Sequence, residues 1–213
     1  MPLNASRVRL DRFAHDAGAS LPAGAVVLDA GAGDGAYRHH FDHVRYESAD
    51  FLQVDKPYAQ DITYVGDLAA LEVEDERFDL VLLTQVLEHL PEPLAVLTEM
   101  RRVLKPGGQI WASTPLFYEE HEQPYDFFRY TQFSLDRLFA QAGFREARID
   151  WLEGYLATVA YELDVAARAL RGRAALPLRT VLKVGRELCS RSDLRRKRVD
   201  VGHPKNYTIV AMA

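Results

Sequence analysis

The chain has 213 residues, a formal net charge of −5 and a 48% apolar composition. That is enough for one globular domain, or one domain with a sizeable insertion, and the apolar fraction is normal for a soluble globular protein. A single cysteine, Cys189, rules out an internal disulfide. With no leader-like segment it leads us to expect a reducing, cytoplasmic setting, and no apolar run approaches the roughly 18 residues of a membrane span.

From Asn4 to Asp16, Val8, Leu10, Phe13 and Ala14 alternate with charges at helical spacing, predicting an amphipathic helix capped by Asn4 or Ser6. Ala25 to Leu28 is a short apolar run of the kind found in buried parallel strands. It ends in Asp29, then Gly31-Ala32-Gly33-Asp34-Gly35, and a helix is predicted from about Ala36 to Phe41. Strand, glycine turn and helix start together make a nucleotide-sized cradle at a sheet's carboxyl edge. The dinucleotide pattern would need its third glycine at Ala36, so a nicotinamide oxidoreductase is disfavoured. Asp29 would repel a pyrophosphate but accept bonds from an ammonium, which favours a zwitterionic or cationic cofactor.

Val44 to Phe51 is predicted as the second strand, with Asp50 near its end. An acid about 20 residues beyond a glycine turn suits two ribose hydroxyls, with Glu47 as the rival if the register shifts. Asp61 to Val65 is a short extended piece, and Asp67 beyond it also suits a helix N-cap. Arg77 to Thr84 is almost wholly apolar after Asp79 and predicts a strand buried on both faces. Gln85-Val86-Leu87-Glu88-His89-Leu90-Pro91-Glu92-Pro93 follows, then a helix over Leu94 to Leu104, a stop at Lys105-Pro106-Gly107-Gly108, and a strand from Gln109 to Thr114.

Leu28-Asp29-Ala30-Gly31-Ala32-Gly33-Asp34-Gly35 resembles motif I of the class I S-adenosylmethionine-dependent methyltransferases. The Leu-Glu-His-Leu-Pro-Glu-Pro turn and Arg102-Val103-Leu104-Lys105-Pro106-Gly107-Gly108 are similar to later phrases of the same family, in its type 11/23-like subgroup. The resemblance covers about residues 23–150. Strand–helix alternation alone gives an α/β class with a doubly wound parallel sheet. The resemblance implies a Rossmann-like seven-stranded sheet, mostly parallel, with an antiparallel last strand. It also implies S-adenosyl-L-methionine as cofactor. Gly31, Ala32 and Gly33 would lie close to its methionine part, Asp29 would hold its amino group, Asp50 its ribose, and Asp67 and Leu68 its adenine. Thr84 and Gln85 would line the methyl-transfer face. No metal is expected, since the other histidines and Cys189 lack ligand spacing.

The stretch His121-Glu122-Gln123-Pro124-Tyr125-Asp126-Phe127-Phe128-Arg129-Tyr130-Thr131 hangs from the same carboxyl edge. It resembles a loop of bacterial methyltransferases linked with surface sugars and secondary metabolites, which implies a small-molecule acceptor, a sugar foremost, methylated at oxygen. His121 and then His89 are the candidates for a general base. Tyr125, Arg129 and Tyr130 are candidate substrate contacts; the alternative is that Arg129 pairs with Asp126 and the tyrosines fill the loop.

Beyond a helix capped by Ser134 and a strand over Glu146 to Trp151, two amphipathic helices are predicted at 154–171 and 175–189. A charged connector (191–198) and a last strand from Tyr207 close the chain. We therefore expect one domain over 1–213 with a helical insertion at about 152–205, serving as lid, homodimer contact or membrane-surface contact. Residues 168–205 carry 12 Lys/Arg against 3 Asp/Glu, a local +9 that leaves −14 on the rest. That asymmetry opens a second reading, a lipid-like acceptor at an anionic membrane surface. A third is a non-catalytic, cofactor-binding assembly partner. The acidic body makes nucleic acid a poor partner.

Overall fold

The structure, a computed structural model, describes residues 3–52, 58 and 61–213. Its helices are α1 (Ala5–Ala19), α2 (Pro93–Val103), α3 (Gln132–Gln141), α4 (Tyr155–Ala169) and α5 (Leu176–Arg195). Its strands are β1 (Val26–Ala30), β2 (Arg45–Asp50), β3 (Tyr64–Val65), β4 (Phe78–Thr84), β5 (Leu104–Pro115), β6 (Arg145–Trp151) and β7 (Asn206–Met212). The seven strands form one sheet in the order β3-β2-β1-β4-β5-β7-β6, parallel from β3 through β5 and antiparallel near the C-terminus. The expected α/β class and mixed seven-stranded sheet are therefore observed.

Chain contacts divide the molecule into two compact units, one of residues 11–150 with 207–213, the other of 1–10 with 151–206. In the larger unit Val27, Leu80 and Leu82 have no more than 1% exposure and pack with Ala17 and Phe41 under Trp111 and Tyr46. These are the apolar runs of β1 and β4, whose β-branched and leucine side chains are covered on both faces. β1 lies between β2 and β4. The chain leaves β1 towards β2 and β3 on one side, while β4 and β5 build out the other side. The crevice this opens beyond the carboxyl ends is where α/β sheets bind ligands.

Several local expectations are corrected. No α-helix follows the glycine turn; Gly31, Gly33 and Gly35 all have positive φ, and only a single 3-10 turn, Arg38–His40, fits before β2 begins. So short a segment cannot repay helix nucleation. β5 starts at Leu104 rather than Gln109, taking Lys105-Pro106-Gly107-Gly108 into the strand beside a register shift between Phe78 and Leu80. The cap of α3 is Thr131, whose Oγ1 accepts the Ser134 N–H while the Ser134 hydroxyl accepts the Thr131 N–H. Asn4, not Ser6, caps α1, accepting the Arg7 N–H through Oδ1.

In the smaller unit α4 and α5 pack side by side, tied by Arg186 to Asp164 at 2.9 Å. The helix predicted to end at Cys189 continues to Arg195 and absorbs much of the expected connector. Glu153 is fully buried and accepts the backbone and side-chain N–H groups of Asn206 at 2.7 and 3.1 Å. Burial pushes its carboxyl up from 4.5 to about 7, against the pull of Lys205 and these bonds.

A carboxyl whose pKa is higher folded than unfolded stabilises fully below the unfolded value, and the contribution is lost as pH rises through the folded one. Wild type should therefore lose stability between about pH 4.5 and 7, by at most about 3 kcal/mol from this group. In Glu153→Gln that loss should be missing. Urea unfolding of both proteins at either end of the window checks it; parallel slopes would refute the assignment.

Candidate functional site

The crevice is lined by Gly31 from the β1 turn, Asp50 and Phe51 from the end of β2, Asp67 and Leu68 after β3, and Gln85, Val86 and His89 after β4, with Tyr125 from the loop after β5. Seven residues singled out from sequence thus meet at one pocket: Gly31, Asp50, Asp67, Leu68, Gln85, His89 and Tyr125. Asp29, Ala32, Gly33, Thr84, His121, Arg129 and Tyr130 are not part of its lining.

At Gly31, φ is +77° and an added Cβ would stand 2.4 Å from Cγ2 of Val86, so both the backbone and the neighbour require glycine. Asp50 accepts the Gly33 N–H at 2.9 Å and the Leu52 N–H at 2.9 Å, which joins the glycine turn to the end of β2. Its rival Glu47 is buried elsewhere, accepting from the Tyr64 hydroxyl at 2.6 Å and from Arg77 at 2.8 Å. Asp67 accepts the Ala69 N–H at 2.9 Å in a turn from which no helix starts, so it is not the expected N-cap, and it lines the pocket.

Asp29 lies beneath the turn, 2% exposed, and accepts the Tyr46 hydroxyl at 2.6 Å. Burial lifts its carboxyl to about 6; the Tyr46 bond opposes the rise, and Asp50 and Asp34 add to it. Gln85 holds φ +56°, a costly conformation for a non-glycine residue, fixed by its N–H to Ser113 O at 2.8 Å and its side chain to Ser113 Oγ at 3.1 Å. Thr84 closes β4 opposite Ser113.

The loop after β5 is held by its own side chains. All five N–H groups of Arg129 are engaged, two in a fork on Asp126 at 2.6 and 2.7 Å and the rest on the carbonyls of Tyr118, Glu119 and Phe128. These bonds hold the Asp126 carboxyl well below its ordinary range. Tyr130 is 6% exposed and donates to Leu87 O at 3.0 Å. Of the two readings open for Arg129 and Tyr130, the geometry is that of loop supports rather than substrate contacts.

His121, His89 and Glu88 gather where this loop meets the 3-10 turn Leu87–His89. The rings of His89 and His121 sit edge-on, 4.7 Å between centroids. His89 donates from Nδ1 to Tyr125 O at 2.6 Å, which leaves Nε2 as the lone-pair nitrogen, and burial keeps the ring below its ordinary pKa. Glu88, read from sequence only as part of a turn phrase, has no exposed surface. Oε2 accepts the Thr114 hydroxyl at 3.1 Å, and burial drives the carboxyl up to about 8. Its place beside His121, 33 positions later, has no signature in chain spacing.

Residues 4–147 match the model of a family described as "Methyltransferase domain". A ubiquinone biosynthesis O-methyltransferase of Cereibacter sphaeroides is 38% identical over 114 residues, 48% of this chain and 46% of that protein. A demethylmenaquinone methyltransferase of Staphylococcus saprophyticus is 29% identical over 146 residues, 53% of this chain and 63% of that protein. The chain thus spans about half the length of the curated relatives it matches. Among solved structures, a SAM-dependent methyltransferase from Archaeoglobus fulgidus superposes with a TM-score of 0.60 at 16% identity, covering 96% of this chain and 93% of that one. At that identity the likeness is one of fold.

If Arg129 supports the loop, Arg129→Lys, which keeps the charge but loses the fork, should speed proteolysis within residues 118–130 and leave β1 and β4 protected from hydrogen exchange. An unchanged cleavage rate would sink that role.

Proposed function

The chain belongs to the methyltransferase-domain family whose model spans its residues 4–147, and on that premise we propose that it methylates a small, apolar acceptor at oxygen with S-adenosylmethionine as cofactor. The observation that carries the reading is the composition of the crevice. A backbone turn without side chains (Gly31), two acids at strand ends (Asp50, Asp67) and apolar walls (Phe51, Leu68, Val86) line one pocket. That set fits a zwitterionic nucleoside. Asp50 would accept the ribose hydroxyls, Asp67 the adenine amino group beside Leu68, and Asp29 the ammonium, directly or through water. Gly31, Ala32 and Gly33 would present backbone to the methionine part, and Thr84 and Gln85 would border the transferred methyl.

The cofactor supplies a methyl already activated on a sulfonium, so a new C–O bond forms as C–S breaks, with the electron pair left on sulfur. The protein's part is to align the acceptor, exclude water and take the hydroxyl proton. We place proton handling at Glu88, His89 and His121. His89 offers a neutral Nε2 and lines the pocket, and His121 abuts it.

The relatives named above favour a quinone-type acceptor, and nothing among them supports a sugar. The smaller unit supports the lipid-like reading independently. Along α5, Leu178, Val181, Val184 and Leu188 are each more than half exposed on one helical stripe, in the segment that carries the +9 charge. An apolar stripe with a basic surround suits an anionic membrane surface. No helix among the described residues is long and apolar enough to cross a membrane.

Three measurements test this. Titration calorimetry should give micromolar binding of S-adenosylhomocysteine and none of NAD, with Asp50→Ala weakening binding roughly 10- to 100-fold. Binding should also weaken as pH falls below about 6, because the ammonium needs Asp29 ionised and the proton competes, and Asp29→Asn should lose that dependence. Absence of binding would refute the cofactor reading. His121→Ala should cut turnover about 100-fold or more at saturating acceptor; an unchanged rate would remove it from the chemistry. Sedimentation with anionic phospholipid vesicles should be strong in low salt and weakened both by salt and by Val181→Glu with Leu188→Glu. Binding indifferent both to salt and to the double substitution would refute the membrane contact.

A further inference from the structure

We propose that Glu88, His89 and His121 form a binding site for one divalent transition-metal ion of the zinc, manganese or iron type, at the acceptor end of the pocket. One ligand atom from each residue lies within 4.8 Å of the other two. His89 Nε2 stands 4.0 Å from Glu88 Oε1. Ligands around such an ion are separated by roughly 3.4 Å, so small side-chain rotations close the set. Two imidazoles and one carboxylate on adjoining edges suit these ions and leave coordination positions open.

Several features point to a ligand rather than to a merely buried acid. Glu88 is fully buried, yet Oε1 has no hydrogen-bond partner, while Oε2 is occupied by Thr114. An orphaned carboxylate oxygen in such a place is expensive unless something else meets it. His121 Nδ1 is also buried without a hydrogen bond; Asp126 Oδ2 is 3.2 Å away but out of alignment, and it already accepts the His121 backbone N–H and Arg129. Two of the prospective ligands have an outer partner of the sort that orients metal ligands: Thr114 for Glu88 and the Tyr125 carbonyl for His89. The carbonyl bond fixes His89 in the tautomer whose lone pair faces the cluster. Glu122 Oε2, 4.0 Å from His89 Nε2, is a further carboxylate at its rim.

The exposed cluster Asp11, His39 and His40 provides the contrast. There Asp11 Oδ1 is bonded directly to His40 Nε2 at 2.9 Å, an ordinary surface pair with no buried, unmatched oxygen.

For its function the site rests on the methyltransferase reading: with the imidazole lone pairs taken up as ligands, the ion in place of a histidine base would hold the acceptor hydroxyl and ease loss of its proton. Ion binding itself is separable. Chelator-stripped protein titrated with Co²⁺ should bind one equivalent with a visible ligand-field absorption, and Zn²⁺ should displace it. Glu88→Gln and His121→Ala should each weaken Co²⁺ binding roughly 100-fold or more while S-adenosylhomocysteine binding, which certifies the fold, is retained. His39→Ala should leave the absorption unchanged. No Co²⁺ binding, binding that survives His121→Ala, or loss only in His39→Ala overturns the site. Co²⁺ binding at Glu88 and His121 in a protein that does not bind S-adenosylhomocysteine would uphold the site and defeat the methyltransferase reading.

Discussion

Everything in the larger unit depends on β1 standing between β2 and β4. Parallel strands that diverge from a shared centre leave a gap at their carboxyl ends that no crossover covers. The chain fills that gap with backbone rather than side chain at Gly31, where Val86 leaves no room for a Cβ. The β1 carboxylate is then buried under the turn, and the Asp50 carboxylate is turned inward to pin Gly33. Asp50 is thus a scaffold residue that also lines the crevice wall, while Asp29 lies sealed beneath the turn.

Much of this was legible in the residues. β1 and β4 are unbroken apolar runs with acids at their ends, and that pattern has few other structural explanations. The glycine turn and the acid 21 positions after Asp29 placed the crevice and selected Asp50, and the fold leaves Glu47 committed to Tyr64 and Arg77. The missing helix after Gly35 was harder to read, because local propensity there favours a helix and only the short span to β2 forbids it. The start of β5 was hidden for the opposite reason: Pro106 and two glycines look like a stop, yet the partner strand shifts register to admit them.

The acceptor end was the least legible part. Candidates there were chosen by residue type, and side chains of the same type have diverged in use. Arg129 looked like an anion clamp, but every donor it has is taken within the loop. Tyr130 looked like a stacking platform and is buried under the turn. Glu88 drew no notice because a glutamate in a turn is ordinarily solvated, and only the fold shows it sealed from water with one oxygen unmatched. Burial of a polar group is a tertiary fact, and no periodicity within Leu87–His89 announces it.

The self-contained bonding of the loop has a consequence for how such a protein changes over time. Arg129 and Asp126 hold the segment's shape, and it is anchored to the body by Tyr130, by the Tyr125 carbonyl and by backbone bonds from Phe127 and Phe128 to Glu88. The exposed side chain of Gln123 lies between those anchors and takes no part in lining the crevice at the strand ends. The loop's shape and the floor of the crevice thus rest on separate sets of bonds. Changes at such exposed loop positions would alter the outer surface of the segment while leaving the packing of the strands beneath untouched.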